Sequence, residues 1–228
     1  MKRFLLLTLA VLGTVAFAFD VDDAVARISA AANEITDASL LLEGRLYDQD
    51  GTTIAVELDV MLMPQEELVN FFIYQPDALA DNMIILDGDT IASYTFLTHQ
   101  VTLFDTSDPR AFGDIIPAAK DSTRTLEISL DLNTIFADFG VELIAGTDED
   151  PFVTVLFYSH DPESLIQEVW ATIPTDTWLP AQATVYGADD FMYAELRFTD
   201  IATNQGLTAD ELRELPFDAE IIDRRAKP

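Results

Sequence analysis

Residues 82–105, NMIILDGDTIASYTFLTHQVTLFD, decide the fold of this chain. They form three short apolar segments separated by two turns, at residues 87–89 and 98–99. Asp-Gly between apolar segments is a strong hairpin signal, because glycine readily adopts the positive φ that such a turn requires. The stretch therefore predicts three consecutive antiparallel strands, and residues 83–86 are apolar on both strand faces.

The segments around this stretch also have the character of strands. Thr53–Met63 alternates with period two, so that one face is apolar throughout and the other becomes apolar only at Met61 and Met63. Residues 68–74 are apolar on both faces. We predict further strands at residues 40–47, 152–159, 165–173, 181–186, 191–198 and 217–222. Short strands joined by closely spaced turns indicate a barrel or a strongly curved sheet in one domain over residues 19–228.

Helices are expected at three places. Apolar residues recur at helical spacing over residues 20–35, with acidic residues in the first turn. Residues 208–211 form a capping-box pattern that opens a short helix. Between the two groups of strands, residues 109–139 predict an interrupted helical insertion, whose last helix ends at Gly140. Helices and antiparallel strands together indicate an α+β fold.

The first 18 residues have the pattern of a secretory signal peptide. Lys2 and Arg3 precede an apolar segment at residues 4–15, and residues 16–18 are an Ala-x-Ala cleavage site. The apolar segment is short for a membrane span, which needs about 20 residues. We therefore expect cleavage after Ala18 and an exported product.

Charge excludes some classes of partner. The chain has 41 acidic and 12 basic residues and a formal net charge of −29. Nucleic acid is excluded, since its phosphates need Lys and Arg partners, and adhesion to anionic membranes is disfavoured. The acidity itself is explained either by solubility or by adaptation to salt. The chain contains no cysteine, so it can form no disulfide and carry no lipid-modified cysteine.

The sequence lacks the motifs of common catalytic and metal sites. It has no G-x-S-x-G motif, and His99 and His160 both stand in or beside turns. The acidic residues 148–150 do not have the spacing of a calcium loop, and no histidine pair has zinc-ligand spacing. No nucleotide-binding glycine motif is present. We predict that the protein is not an enzyme and binds no metal or cofactor.

Strands that are apolar on both faces need an apolar partner on each face. One interpretation is a core covered on both sides by helices, and the other is an apolar cavity between a curved sheet and its helices. Methionine suits such a cavity, because its flexible side chain adapts to ligands of irregular shape. Under the second interpretation we predict that eight residues line the cavity: Leu58, Val60, Leu62, Phe72, Met83, Ile85, Phe96 and Met192.

The order of these motifs resembles the LolA family of periplasmic carriers, which move lipoproteins to the outer membrane. The resemblance covers most of the chain after residue 18. It rests on an N-terminal helix leading into a strand and on four later motifs: the Pro64 turn into a strand that ends at Tyr74-Gln75-Pro76, Leu86-Asp87-Gly88-Asp89-Thr90 leading to Tyr94, Gln100-Val101-Thr102, and Leu179-Pro180 before a strand ending at Phe198-Thr199-Asp200.

The resemblance implies an unclosed antiparallel barrel whose helices cover a cavity for lipoprotein acyl chains. It also implies a periplasmic monomer that receives cargo from an inner-membrane donor complex and delivers it to an outer-membrane acceptor. The family commonly has an arginine before the apolar residues of the third strand, where it helps to hold the helices closed, and the nearest position here is Asn70. The alternative function is a sensor or interaction module on the same fold, with a different amphiphilic ligand.

Overall fold

The computed structural model of the chain describes residues 19–106, 108 and 139–225. The predicted signal peptide, and the predicted insertion except for Phe139, lie outside the described residues. The described elements are α1 (Val21–Asn33), β1 (Ala38–Tyr47), β2 (Thr53–Met63), β3 (Leu68–Gln75), β4 (Met83–Asp87), β5 (Thr90–Thr95), β6 (Gln100–Asp105), β7 (Phe139–Ala145), β8 (Phe152–Ser159), β9 (Glu168–Pro174), β10 (Gln182–Tyr186), β11 (Met192–Thr203), α2 (Ala209–Leu212) and β12 (Glu220–Asp223).

The described strands form a single unclosed sheet. Their order is β12-β6-β5-β4-β3-β2-β1-β11-β10-β9-β8-β7, so β12 and β7 are the edges. Neighbouring strands are antiparallel, except that β12 pairs with β6 in parallel. Residues 82–105 supply β4, β5 and β6, as their turn signals predict. The predicted α+β class, with an unclosed and predominantly antiparallel sheet in the form of a half barrel, is confirmed.

The start of β7 differs from the sequence prediction. The prediction of a helix that ends at Gly140 is wrong at its C-terminal end. Phe139 and Gly140 instead begin a strand, in which they pair with Ser159 and Tyr158. A Cβ at Gly140 would overlap the ring of Tyr158. The glycine that resembles a helix stop therefore provides space for an aromatic ring.

One face of the sheet, which we call the inner face, is apolar across the sheet from β6 to β8. Cross-strand partners share a face, and the register connects Gly44 through Leu196 and Ala183 to Ala171 and Val155. Two clusters lie on this face. The inner cluster over β2–β6 contains Val60, Val69, Ile73, Ile84, Leu86, Ile91 and Phe104. The helix-covered cluster contains Ala24 and Ile28 of α1 with Val153, Val155, Ala171, Ile173 and Trp178.

The opposite face, the outer face, is covered over β2–β6 by residues 204–219, which we call the C-terminal segment. Its Leu212 is fully buried in an outer cluster with Leu68, Ile85, Ala92, Tyr94 and Val101. Arg213 binds both carboxylate oxygens of Asp87, at 2.7 and 2.8 Å. The two-sided apolar character of residues 83–86 thus has a simple origin, because each face of β4 belongs to a different cluster.

Candidate functional site

Helix α1 covers one half of the inner face. Asp20 caps its first turn by accepting hydrogen bonds from the backbone N–H groups of Asp22 and Asp23, which would otherwise be unpaired. Its buried residues, Ala24 and Ile28, pack on β8 and β9. Among the described residues, α1 is the helix that lies on the inner face, and it leaves the inner cluster of β2–β6 beside it rather than beneath it.

A cavity of about 260 Å³ lies at the C-terminal end of α1. Its walls, which are half polar and half apolar, come from α1 and the segment just after it, from the loop before β10 and from β11. The lining residues are Ala31, Glu34, Ile35, Thr177, Leu179, Ile201, Thr203 and Asn204. The exposed Glu34, Thr177, Ile201 and Asn204 mark its opening to solvent. Because β11 pairs with β1, the cavity lies between the helix-covered half of the sheet and the half that carries the inner cluster.

The wall of this cavity at the end of α1 is held by a polar network. The N–H of Thr36 donates to Oδ1 of Asn204 at 2.7 Å, and Nδ2 of Asn204 donates to the Glu34 carbonyl at 3.0 Å. The buried carboxylate of Asp37 accepts from the N–H of Gln205 at 2.8 Å. Burial alone would raise the pKa of Asp37, but hydrogen bonds from three backbone N–H groups and from Thr36 lower it below its ordinary value. This carboxylate therefore stays ionised and joins the end of α1 to the end of β11.

The eight residues predicted to line a cavity do not lie together. Leu58, Val60 and Leu62 point to the inner face and belong to, or pack on, the inner cluster. Met83 and Ile85 point to the outer face, where they pack against the C-terminal segment. Strand alternation places these two sets on opposite sides of the sheet, so a single cavity cannot include both.

The remaining three predicted residues lie away from the inner cluster. Phe72 is on the outer face, opposite Asp59 and Met83, with Tyr74 as its edge-on neighbour. The hydroxyl of Tyr74 donates to Asp59, and this bond raises the pKa of Tyr74 to about 12. Phe96 is half exposed in the turn after β5, and Met192 begins β11 at a register shift, outside the three clusters of the described chain.

Sequence reasoning missed most of the residues that line the described cavity. Ile35 was recognisable as the last apolar residue of the α1 pattern, and Ile201 follows the end of the predicted strand at residues 191–198. Only the continuation of β11 to Thr203 brings Ile201 opposite α1. An apolar residue just past the predicted strand end is the sequence signal for Ile201, and the polar lining residues carry no such signal.

Asn70 occupies a different environment from the one expected of it. It is buried on the outer face, and its Nδ2 donates to the carbonyl of Leu212 at 2.8 Å, whereas its Oδ1 has no hydrogen-bond partner. Its side chain therefore connects β3 to the C-terminal segment and not to a helix on the inner face.

The two histidines do not form a recognisable nucleophilic centre. The ring of His99 is held between the Tyr94 hydroxyl, 2.9 Å from Nδ1, and Asp218, 2.8 Å from Nε2, so both ring nitrogens are occupied. The ring of His160 stands edge-on to Tyr158. Within the described ranges, no three acidic or histidine side chains are arranged to hold a metal ion. None of the described helices has the length and apolar character required to cross a bilayer.

Comparison with known proteins shows similarity at the level of the fold. No family model and no curated protein sequence matches the chain. An uncharacterized conserved protein from Thermus thermophilus matches with a TM-score of 0.59 and 15% identity, over 89% of this chain and 98% of that one. A LolA superfamily protein from Nitrosomonas europaea matches with a TM-score of 0.41 and 12% identity, over 87% and 96%. A DUF1329 family protein from Desulfovibrio piger matches with a TM-score of 0.49 and 9% identity, over 86% and 98%. The chain shares its fold with the Thermus thermophilus protein, and LolA superfamily proteins are among the structures to which it is similar.

Proposed function

We propose that this protein is a periplasmic carrier that shields the acyl chains of a lipoprotein, or of a similar amphiphile, on the inner face of its sheet. The observation that carries the proposal is the continuous apolar inner face; among the described residues, α1 covers the half of it over β8 and β9. The outer face over the same strands is already covered by the C-terminal segment. We therefore place the apolar ligand on the inner face, against the partly buried side chains that surround the inner cluster.

The physical need for such a carrier follows from the cost of exposing acyl chains to water. Burial of an acyl chain contributes about 0.8 kcal/mol per CH₂ group, so a lipoprotein with several acyl chains cannot cross an aqueous compartment unaided. An aliphatic surface without charged groups shields the chains but adds little specific binding. Transfer to a tighter-binding outer-membrane acceptor then needs no catalysis, and an inner-membrane donor complex supplies the loaded state.

The inner cluster provides this kind of surface. Its buried members are surrounded by leucine and phenylalanine side chains that are only partly buried: Leu40, Leu42, Leu58, Leu62, Phe71 and Leu79. Partly buried apolar side chains can cover a ligand without the protein losing its core. We propose that the carrier acts as a monomer, exported by cleavage after Ala18.

Native mass spectrometry of the protein purified from periplasm tests this function. The expected result is a protein mass increased by that of a bound lipid or lipoprotein, together with solubilisation of a triacylated lipoprotein by the purified protein. A protein that carries no lipid and does not solubilise the lipoprotein would refute the carrier function.

A second candidate function is an interaction module on the same fold. The observation that favours it is a group of exposed apolar side chains at one end of the sheet, where Phe96 and Leu97 of the turn after β5 lie near Phe217. The His99–Asp218 contact brings the two turns together. An isolated protein without bound lipid, and with a partner protein that is lost on Leu97→Ser or Phe217→Ser substitution, would establish this function instead.

A further inference from the structure

We infer that α1 is a fixed wall of the binding face, and that an apolar ligand enters past its C-terminal end through the cavity beside Ile201. This inference rests on the proposed function, because it names the route to the same inner face. It follows from the contacts at the two ends of α1 and from the position of the cavity between the two halves of the sheet.

The N-terminal end of α1 is fixed by packing. Ala24 is fully buried and Ile28 nearly so, both against the sheet. Just before the helix, the ring of Phe19 lies 5.9 Å from that of Trp178, which is itself buried. The guanidinium of Arg27 lies 5.8 Å from the first ring and 5.2 Å from the second. Outward movement of this end would expose apolar surface and break the cation–π contacts.

Arg27 also reaches beyond the helix. Its Nη2 lies 2.8 Å from Oδ2 of Asp148, in the loop between β7 and β8. Both side chains are partly exposed, so this ion pair adds little to stability. The pair does identify two accessible positions whose side chains meet, one on α1 and one in the loop between β7 and β8.

The C-terminal end of α1 is fixed by hydrogen bonds. The side chain of Asn204 forms hydrogen bonds with both Glu34 and Thr36. The backbone N–H of Asn204 donates to the carbonyl of Asp37 at 2.8 Å. The carboxylate of Asp37 in turn accepts from the start of the C-terminal segment. Asp37 is buried, and a buried carboxylate is costly to leave unpaired, so this end resists displacement as well.

The opening between these fixed parts is the cavity at the end of α1. Ala31, Ile35 and Leu179 are its partly buried apolar lining, and Ile201 is its exposed apolar residue, with 36% of its surface exposed. The cavity borders β11, which pairs with β1. Leu40 and Leu42 of β1 pack on the inner cluster, so the inferred path of an acyl chain runs from the cavity across β11 and β1 to that cluster.

A cross-link across the Arg27–Asp148 contact tests whether α1 must move. The chain contains no cysteine, so the double variant Arg27→Cys/Asp148→Cys has two unique thiols. A short bis-maleimide with an internal disulfide joins them and can be cleaved with reductant. The probe is N-phenyl-1-naphthylamine, an uncharged fluorophore that brightens in apolar surroundings. We expect its affinity to change by less than twofold on cross-linking. Loss of binding that returns on cleavage would overturn the inference.

A substitution at the opening tests the route directly. Ile201→Trp fills the opening and should slow uptake of the probe at least fivefold in stopped-flow fluorescence. The matched control is Ile166→Trp, because Ile166 has the same exposed fraction, 36%, but does not line the cavity. Equal uptake rates in the two folded variants would overturn the inference. If Ile201→Trp fails to fold, the cross-linking result decides alone. Wild-type protein that does not bind the probe would refute the proposed function and this route together.

Discussion

The assignment of ligand binding to the inner face predicts that Leu58→Gln weakens binding of an apolar probe. Leu58 of β2 points to the inner face and is partly buried against the inner cluster. A ligand would cover the apolar surface of Leu58 that is still exposed. Covering it contributes less than the about 1.5–3 kcal/mol that burying a whole leucine side chain contributes. The introduced amide would also have to lose its water, at about 1–3 kcal/mol. Together these effects amount to about 2 kcal/mol, or about thirtyfold weaker binding of N-phenyl-1-naphthylamine in a fluorescence titration.

The control for this prediction is Met83→Gln. Met83 is also partly buried, but it lies on the outer face beneath the C-terminal segment. This variant should lower the free energy of unfolding while leaving probe affinity within about twofold of wild type, about 0.4 kcal/mol. If Met83→Gln weakens probe binding as much as Leu58→Gln does, or if Leu58→Gln has no effect in a folded protein, the assignment to the inner face is wrong.

Three further predictions concern the C-terminal segment and the cavity opening. Leu212→Ala should lower the free energy of unfolding by about 2–5 kcal/mol in urea denaturation, because Leu212 is fully buried; a change below about 1 kcal/mol would contradict its role in the outer cluster. The hydrogen bond from Arg213 lowers the pKa of Asp87, so this carboxylate stabilises the fold above its unfolded pKa of about 3.9 and the effect is lost as the pH falls through the lower folded value. Asp87→Asn should therefore make stability less dependent on pH below about pH 4, and thermal melts that keep the wild-type slope would contradict it. Glu34→Gln removes a carboxylate from the cavity opening, so it should strengthen binding of the anionic probe 1-anilinonaphthalene-8-sulfonate but not of the uncharged probe; equal changes for both probes would contradict a charge effect.

Much of the fold was predictable because its signals are local. Period-two alternation and turn residues define β2 and the hairpin strands β4–β6, apolar residues at helical spacing define α1, and a capping box defines α2. The start of β7 was not predictable, because Gly140 is required by the ring of Tyr158 on a neighbouring strand rather than by its own segment. A contact between residues distant in sequence leaves no periodic signal.

The candidate site, like the fold, was predictable from the sequence only in part. Alternation alone shows that Leu58, Val60 and Leu62 share a face and that residues 83–86 are apolar on both sides. It cannot show which face the C-terminal segment covers, and for that reason Met83 and Ile85 were grouped with residues on the opposite side of the sheet. The position of Asn70 under Leu212 has the same cause.

The sequence by itself therefore determined the antiparallel strands of residues 82–105, the turns between them and the need for two apolar covers. Only the tertiary structure decided which cover lies on which face, and where α1 leaves a cavity open beside Ile201. The physical reason is that strand and turn formation depends on neighbouring residues, whereas the choice of face depends on packing between segments more than 100 residues apart, such as β3 and Leu212.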